Sequence, residues 1–384
     1  MLEYIPPGTQ FAKLPASFTT TCGSILKEPR IAYEIIGSPG QQAKNIILIL
    51  TGMSTSAHVT STPEDESCGW WEDMVGPGKY IDTNLWCVIC VNNLGSCKGS
   101  TGPTSYDAES NKTYQGNFPF ISIEDIADST VEALHVLGIE HVSCILGVSM
   151  GGMVALSISE RHPNFSKYMI NISGATCSLP YSIALRNIQK ASIEQDPLWN
   201  NGFYDEDHYP YNGMMLARKI GLLSYRSKDE VNQRFSSNIY KNNNKQLASN
   251  VPESVDSYLE YNARRFVDFF DANSYLVLSN AINKYVFGGS RKSVKSALKE
   301  LPTKRALIMG VNSDELFPIQ QQEQLASGLK AGGCTTTFIE VDSNYGHDAF
   351  LVDINKFGSA IRDFLSTTTD SYKLKTSPKY AMVG

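Results

Sequence analysis

The sequence predicts an α/β protein in which helices flank a mostly parallel central sheet and a helical insertion interrupts the alternation. Apolar runs of strand length recur along the chain, and stretches with apolar residues at helical spacing lie between several of them. Strands that alternate with helices favour parallel pairing, because the connecting helices cover the faces of the sheet. The alternation stops over residues 179–299, where polar, aromatic-rich and helix-prone sequence replaces it.

The core elements follow one another in a regular order. An opening hairpin is predicted over Phe18–Ile36. A helix is predicted over Ser122–Leu137, with Ser122 as its N-cap and acidic residues in its first turn. Further strands are predicted at Asn45–Leu50, Leu85–Val91, Val142–Leu146, Tyr168–Ile172, Arg305–Val311 and Thr336–Val341.

These patterns divide the chain into three parts. Residues 1–178 and 300–366 form the α/β core, residues 179–299 form the helical insertion, and residues 367–384 form a tail without periodic pattern. Within the insertion, Asp256–Phe270 and Ala272–Lys284 are helix-prone. Because the insertion falls between two core strands, we expect it to lie over the carboxyl edge of the sheet as a lid.

Composition excludes several classes of partner. The chain has 384 residues, of which 42% are hydrophobic, and its formal net charge is −6. That charge gives no general attraction to phosphate or anionic lipid, so neither a nucleic acid nor a membrane is expected as a partner. No apolar run reaches the length of a membrane span, and Met1–Lys13 lacks the features of a secretion signal. We therefore expect a cytoplasmic protein.

The eight cysteines are scattered along the chain. In a large protein of cytosolic type this pattern predicts free thiols and no disulfide framework. Cys87 and Cys90 have the spacing of a redox or zinc pair, but they lie inside a predicted strand. Residues three apart in a strand point to opposite faces, so the two side chains are interpreted as buried apolar groups. No metal site is expected.

A candidate nucleophile, Ser149, lies in the segment Gly147–Gly152. The segment follows the apolar run Val142–Leu146 and precedes the helical pattern of Met153–Ile158. Strand, serine at a sharp turn and helix are the features of a nucleophile elbow, in which glycines allow the turn and expose the hydroxyl. A serine hydroxyl needs a base to take its proton, and the base needs an acid to orient it.

His347 is the predicted base and Asp314 the predicted acid. Both residues lie in loops that follow predicted strands, and such carboxyl-end loops lie on the side of the elbow. Glu315 or Asp342 could serve as the acid instead. The chain order of serine, aspartate and histidine is that of the α/β-hydrolase fold.

Two backbone amides are predicted to bind the oxyanion that forms during acyl transfer. The Met150 amide follows the nucleophile directly, and the Thr51 amide follows the strand Asn45–Leu50.

Several longer motifs accompany these residues, and together they resemble the homoserine O-acetyltransferase family over about residues 15–366. The motifs stand at Leu50–Gly52, Gly69–Gly78, Asn93–Gly95, Gly99–Pro103, Gly147–Met153, Asp271–Tyr275, Ser313–Asp314 and Tyr345–Leu351.

The resemblance implies transfer of an acetyl group from acetyl-CoA to L-homoserine in methionine biosynthesis, through an acetyl-Ser149 intermediate. Acetyl-CoA would be a cosubstrate, and no tightly bound cofactor is implied. The family's matching positions assign Arg218 to the carboxylate and Asp348 to the amino group of the amino acid. A homodimer through the insertion helices is implied as well.

The acyl donor is predicted from Leu316, two residues past Asp314. Succinyl-using members of the family resemble one another in carrying an arginine there, and leucine cannot neutralise a second carboxylate. Acetyl-CoA is therefore favoured over succinyl-CoA. The segment Met53–Ala57, together with Ser96 and Lys98, departs from the family pattern and leaves serine open as the acceptor. The same residues are also compatible with a serine esterase or hydrolase and with a catalytically silent protein of this fold.

Overall fold

A computed structural model describes residues 5–38, 45–239, 254–289 and 293–368. Its strands in chain order are β1 (Gln10–Lys13), β2 (Ser17–Thr19), β3 (Ile25–Lys27), β4 (Arg30–Ile36), β5 (Ile46–Leu50), β6 (Val75–Gly76), β7 (Ile81–Asp82), β8 (Cys87–Val91), β9 (Tyr106–Asp107), β10 (Lys112–Thr113), β11 (Cys144–Val148), β12 (Tyr168–Ile172), β13 (Arg305–Val311) and β14 (Thr335–Val341).

The helices alternate with the later strands. They are α1 (Ile123–Val136), α2 (Met150–Arg161), α3 (Pro180–Glu194), α4 (Tyr211–Tyr225), α5 (Lys228–Ile239), α6 (Val255–Val267), α7 (Ala272–Lys284), α8 (Val294–Lys299), α9 (Ile319–Ala331), α10 (Ala349–Val352) and α11 (Ile354–Ser366).

Eight of the strands form one sheet, in the order β1-β4-β8-β5-β11-β12-β13-β14. Pairing is antiparallel from β1 to β4 and from β4 to β8, and it is parallel from β8 through β14. The predicted α/β-hydrolase fold, with its mostly parallel sheet after an antiparallel start, is confirmed.

Both faces of the sheet are covered, which explains why its central strands are continuous apolar runs. All five residues of β5 are buried, and the same is true of β8 and β11. Side chains of α1 and α2 pack on one face, while Phe357 and other residues of α11 pack on the other. Cys87 belongs to the first core cluster and Cys90 to the second, so their sulfurs lie on opposite faces as predicted.

The beginning of the sheet differs from the prediction. Phe18–Ile36 is not one hairpin. Strand β2 pairs with β3, whereas β4 pairs with β1 and β8 in the large sheet. The sequence pattern does not predict strand β1. Only Ala12 is buried in it, so its sequence contains no apolar run.

Helix α1 begins where its sequence predicts. The Ser122 side chain accepts a hydrogen bond from the Asp125 amide, and the Asp125 carboxylate accepts one from the Ser122 amide at 2.8 Å. This reciprocal capping satisfies two amides that have no partner inside the helix. The predicted N-cap is confirmed.

Helices α3 to α8 lie between β12 and β13, the place predicted for the insertion. The two helix-prone segments of the insertion correspond to α6 and α7. The division at residues 179–299 stays a prediction, and most of the predicted tail, residues 369–384, lies outside the described residues. Among the residues described, no helix combines the length and apolar character needed to cross a membrane.

The packing of α1 on the sheet can be tested with Leu134→Ala. Leu134 is fully buried, and removing a leucine side chain from a core typically lowers the free energy of unfolding by about 2–5 kcal/mol. The matched control is Leu85→Ala, because Leu85 is 51% exposed. Urea unfolding should show a clear fall in midpoint for the first variant only. Equal midpoints for the two variants would contradict this packing.

Candidate active site

Ser149 occupies a sharp turn between β11 and α2. Its backbone has φ 55° and ψ −120°, a left-handed conformation that L residues rarely adopt. Two neighbouring glycines permit this turn. A Cβ atom on Gly147 would lie 2.2 Å from the Gly151 carbonyl oxygen, and one on Gly151 would lie 2.1 Å from the Leu50 carbonyl oxygen. The serine is therefore at a nucleophile elbow, packed directly against the end of β5.

A continuous hydrogen-bonded chain links Ser149 to His347 and Asp314. The Ser149 Oγ lies 2.7 Å from His347 Nε2, and His347 Nδ1 lies 2.7 Å from Asp314 Oδ2. Because a carboxylate only accepts hydrogen bonds, Nδ1 carries the imidazole proton and Nε2 is left to accept from the serine. Glu315 and Asp342, the two acids that could have replaced Asp314, are exposed.

The surroundings of the three hydrogen-bonded residues raise the basicity of His347. Burial alone lowers the pKa of His347, but the charge and hydrogen bond of Asp314, with Asp348 nearby, raise it above its ordinary value. The other oxygen of Asp314 accepts bonds from the Leu316 and Phe317 amides, both at 2.9 Å. These bonds fix the carboxylate in the orientation that His347 requires.

The loop that carries His347 is held from two sides. Ser313 Oγ accepts a bond from the Gly346 amide at 3.0 Å, which ties this loop to the one that carries Asp314. Trp71 Nε1 donates to the Phe350 carbonyl at 2.9 Å, although 279 positions separate the two residues. Both contacts restrict the position of the imidazole.

The two predicted oxyanion amides belong to two turns that lie close together, the elbow before α2 and the turn after β5. Met150 is the first residue of α2, where amides have no acceptor inside the helix. Thr51 follows β5 directly, and its hydroxyl accepts a bond from Asn93 Nδ2 at 2.9 Å. The same Asn93 amide donates to the Gly52 carbonyl at 3.0 Å, which fixes the turn after β5. Their role as oxyanion donors stays a prediction.

A group of charged residues lies beside His347. Asp348 forms an ion pair with Arg226, whose Nε is 3.3 Å from Asp348 Oδ2. Burial raises the pKa of Asp348, although Arg226, His347 and Arg218 each act to lower it. The Arg218 guanidinium lies 4.1 Å from the centroid of the Phe266 ring, and its Nε has no hydrogen-bond partner among the described residues. The Arg218 cation and the Asp348 anion therefore lie near each other beside the histidine, and Asp348 also has Arg226 as a partner.

A cavity opens over the nucleophile. Leu316, on which the predicted choice of acyl donor rests, lines it, and so does Met53 from the segment that departs from the family pattern. Most of its wall comes from the insertion and from loops at the carboxyl edge. Residues that line it include Met53, Ser149, Arg186, Gln189, Leu316 and His347.

Sequence patterns alone do not single out two of the site's charged residues. Arg226 pairs with Asp348, and Arg186 lines the cavity. A signal for Arg186 is present, because Ser182, Arg186 and Gln189 lie at helical spacing and form a buried polar stripe on α3. No comparable signal marks Arg226, which follows the last turn of α4.

Comparisons with known proteins agree with this geometry. The family model for the alpha/beta hydrolase fold matches residues 45–354. An L-serine/homoserine O-acetyltransferase of Streptomyces lavendulae is 47% identical, over 95% of this chain and 99% of that protein. A serine O-succinyltransferase of Stenotrophomonas maltophilia (strain K279a) is 46% identical, also over 95% of this chain and 99% of that protein.

Among solved structures, esterase E22 has a TM-score of 0.83 and 27% identity, and covers 93% of this chain and 99% of its own. The fold is therefore shared by hydrolases and transferases, and it does not by itself separate the two activities. The much higher sequence identity to acyltransferases, along nearly the whole chain, favours the transferases. The protein belongs to the homoserine/serine O-acyltransferase family of the α/β-hydrolase fold.

Proposed function

We propose that the protein transfers an acetyl group from acetyl-CoA to the side-chain hydroxyl of L-homoserine, with L-serine as the alternative acceptor. The observation that carries this proposal is the hydrogen-bonded chain from Ser149 through His347 to Asp314, with the Asp348 carboxylate and the Arg218 guanidinium nearby. An activated serine explains acyl transfer, and the two charges suit the carboxylate and amino groups of an amino acid. The reaction would serve amino-acid biosynthesis, as the resemblance implies for methionine.

The first half-reaction acylates the serine. Ser149 Oγ attacks the thioester carbonyl carbon while its proton passes to His347 Nε2. The Thr51 and Met150 amides would stabilise the resulting oxyanion, and the Asp314 carboxylate stabilises the imidazolium. When the carbon–sulfur bond breaks, the departing thiolate takes the proton from His347. Acyl-Ser149 and free CoA remain.

The second half-reaction transfers the acyl group to the amino acid. The acceptor hydroxyl gives its proton to His347 Nε2 as its oxygen attacks the acyl-Ser149 carbon. The bond to Ser149 Oγ then breaks, and the serine recovers the proton from His347. Arg218 and Asp348 would hold the acceptor by its carboxylate and amino groups, so that its hydroxyl competes with water for the acyl group.

The choice of donor rests on Leu316, which is buried in the cavity wall. A leucine offers no charge to a distal carboxylate, which favours acetyl over succinyl. Succinyl-CoA is the second candidate, because the relative from Stenotrophomonas maltophilia is a serine O-succinyltransferase. The difference between homoserine and serine is one methylene, worth only about 1–3 kcal/mol in a pocket. The homodimer through the insertion helices stays a prediction.

Ser149→Ala should abolish both the acyl-enzyme and transfer, because no other hydroxyl lies at the elbow. Loss of a catalytic serine in a protease lowers turnover by about 10⁶-fold, and a loss of at least about 10³-fold is expected here. Intact-mass measurement after rapid mixing with acetyl-CoA should show one added acetyl group on the wild type. Ser327→Ala, an exposed position on α9, should keep the adduct. An adduct on the Ser149→Ala variant would refute acyl transfer through this residue.

The raised pKa of His347 predicts the acid limb of the pH profile. The imidazole accepts a proton only when neutral, so kcat/KM should rise as pH rises through a pKa above the ordinary value of 6.5. Asp314→Asn removes the charge that raises this pKa and should move the limb to lower pH. In serine proteases with a Ser-His-Asp triad, the equivalent change of aspartate to asparagine lowers kcat by about 10⁴-fold. Asp342→Asn is the control. A similar loss of kcat in that variant would show that Asp314 is not the acid that orients His347.

The substrates can be identified by crossing two donors with two acceptors in a thiol-release assay. Acetyl-CoA with L-homoserine should give the highest kcat/KM among combinations of acetyl-CoA or succinyl-CoA with homoserine or serine. A preference of about tenfold, or about 1.4 kcal/mol, for another pair would replace the proposed substrates. CoA release at equal rates with and without an acceptor would instead indicate a hydrolase.

A further inference from the structure

Arg226 joins the helical insertion to the loop that carries His347. It follows α4 directly, and its Nε lies 3.3 Å from Asp348 Oδ2. Both side chains of this ion pair are largely buried, at 17% and 20% exposed. The proposed acyl-transfer mechanism uses Asp348 to hold the acceptor, but it gives Arg226 no role.

The ion pair is not needed to dock the loop on the insertion. A Cβ on Gly346 would lie 2.7 Å from the Tyr225 carbonyl oxygen and 2.8 Å from the Ser227 amide nitrogen, so the two backbones already touch. The Ser227 hydroxyl also donates to the Asn344 carbonyl. Backbone packing and a neutral hydrogen bond therefore hold the loop in place. The two charges of the ion pair require a different explanation.

The contact between the two side chains acts through charge. Although Arg226 Nε is 3.3 Å from the carboxylate, it has no hydrogen-bond partner among the described residues. The lone pairs of the carboxylate that face away from Nε stay free to accept hydrogen bonds from a ligand. Taking both charges out of water is costly, and apolar side chains would pack here at lower cost. A ligand that binds the carboxylate accounts for keeping the pair.

The charge of Arg226 favours the ionised form of Asp348. Burial raises the pKa of Asp348, and Arg226 opposes this increase together with His347 and Arg218. An ammonium group binds a carboxylate much more strongly than a neutral carboxylic acid, because only the carboxylate carries the opposite charge. Arg226 therefore supports the form of Asp348 that an amino group can bind.

We propose that Arg226 is a positioning residue for the acceptor, which holds the Asp348 carboxylate in place for the α-amino group of an amino acid. The inference rests on the proposed acyl transfer and deepens it. In that mechanism Arg218 holds the carboxylate, a group that amino acids share with hydroxy acids of the same length. Only the amino acid offers an ammonium to Asp348. Arg226 would thus set the preference for amino acids over hydroxy acids as acceptors.

The test measures this preference with matched acceptors. L-homoserine is compared with 4-hydroxybutanoate, and L-serine with 3-hydroxypropanoate, because each hydroxy acid lacks only the amino group. The preference is the ratio of kcat/KM for the amino acid to kcat/KM for the hydroxy acid, from thiol release with acetyl-CoA. Acyl-Ser149 formation without acceptor is followed separately by rapid-quench mass spectrometry.

Three substitutions are compared with a control. Arg226→Gln and Arg226→Met both remove the charge, and the second keeps much of the apolar length of the side chain. Arg226→Lys keeps the charge. The control is Arg264→Gln, because Arg264 is 62% exposed and forms an ion pair with Glu260 on the same insertion. Thermal unfolding of each variant reports whether the fold is kept.

The preference for the amino acid should fall by about 5- to 50-fold in Arg226→Gln and Arg226→Met, because residues in contact commonly couple to this extent. The fall should appear mainly in acceptor KM, while acylation without acceptor stays within about twofold of the wild type. Arg226→Lys should recover part of the preference, since it restores the positive charge. In an Asp348→Asn background, Arg226→Gln should cause no further fall, because the carboxylate through which it acts is gone.

Other results overturn the proposal. One is a preference in both uncharged variants within about twofold of the Arg264→Gln control. A second is an equal loss with amino acids and hydroxy acids, or loss of the fold in both variants, which indicates a structural role only. A third is an undiminished effect of Arg226→Gln in the Asp348→Asn background. If the wild type forms no acyl-Ser149, the proposed function fails as well. Normal acylation with an unchanged preference overturns this inference alone.

Discussion

The close approach of Gly151 to the carbonyl oxygen of Leu50 is the constraint on which the site depends. A Cβ at Gly151 would lie 2.1 Å from that oxygen and 2.9 Å from the Thr51 carbonyl oxygen. One contact between the start of α2 and the end of β5 therefore positions the nucleophile and both predicted oxyanion amides. The left-handed backbone of Ser149, a conformation that costs about 1–3 kcal/mol, persists because this packing holds it in place.

Charge is distributed unevenly around the nucleophile. Asp314 is satisfied by His347 and two backbone amides, so its charge is used entirely to orient and stabilise the base. Asp348 has Arg226 as a partner, whereas Arg186 has only neutral ones. The residues of the site thus carry more positive charge than their own carboxylates neutralise, which suits anionic substrates.

The parts of the site that the sequence predicts are those whose signal is local. Ser149 follows the buried strand β11, Asp314 follows the buried strand β13 and His347 follows the partly exposed strand β14, and parallel strands bring such positions to one edge. Arg186 and Arg226 lie on the insertion, where helical spacing identifies a face but not the surface that the face will cover. Strand β1 is not predicted either, because its one buried residue is an alanine and its sequence shows no apolar pattern.

The bond from Trp71 to the Phe350 carbonyl has a consequence for synthesis of the chain. It joins residues 279 positions apart, and the loop it holds follows β14, the last strand of the sheet. During translation β12 is complete well before β13, so its outer edge lacks a partner while the insertion is being made. Long-range pairings of this kind form slowly, and the nascent chain cannot position His347 until the loop after β14 has been made.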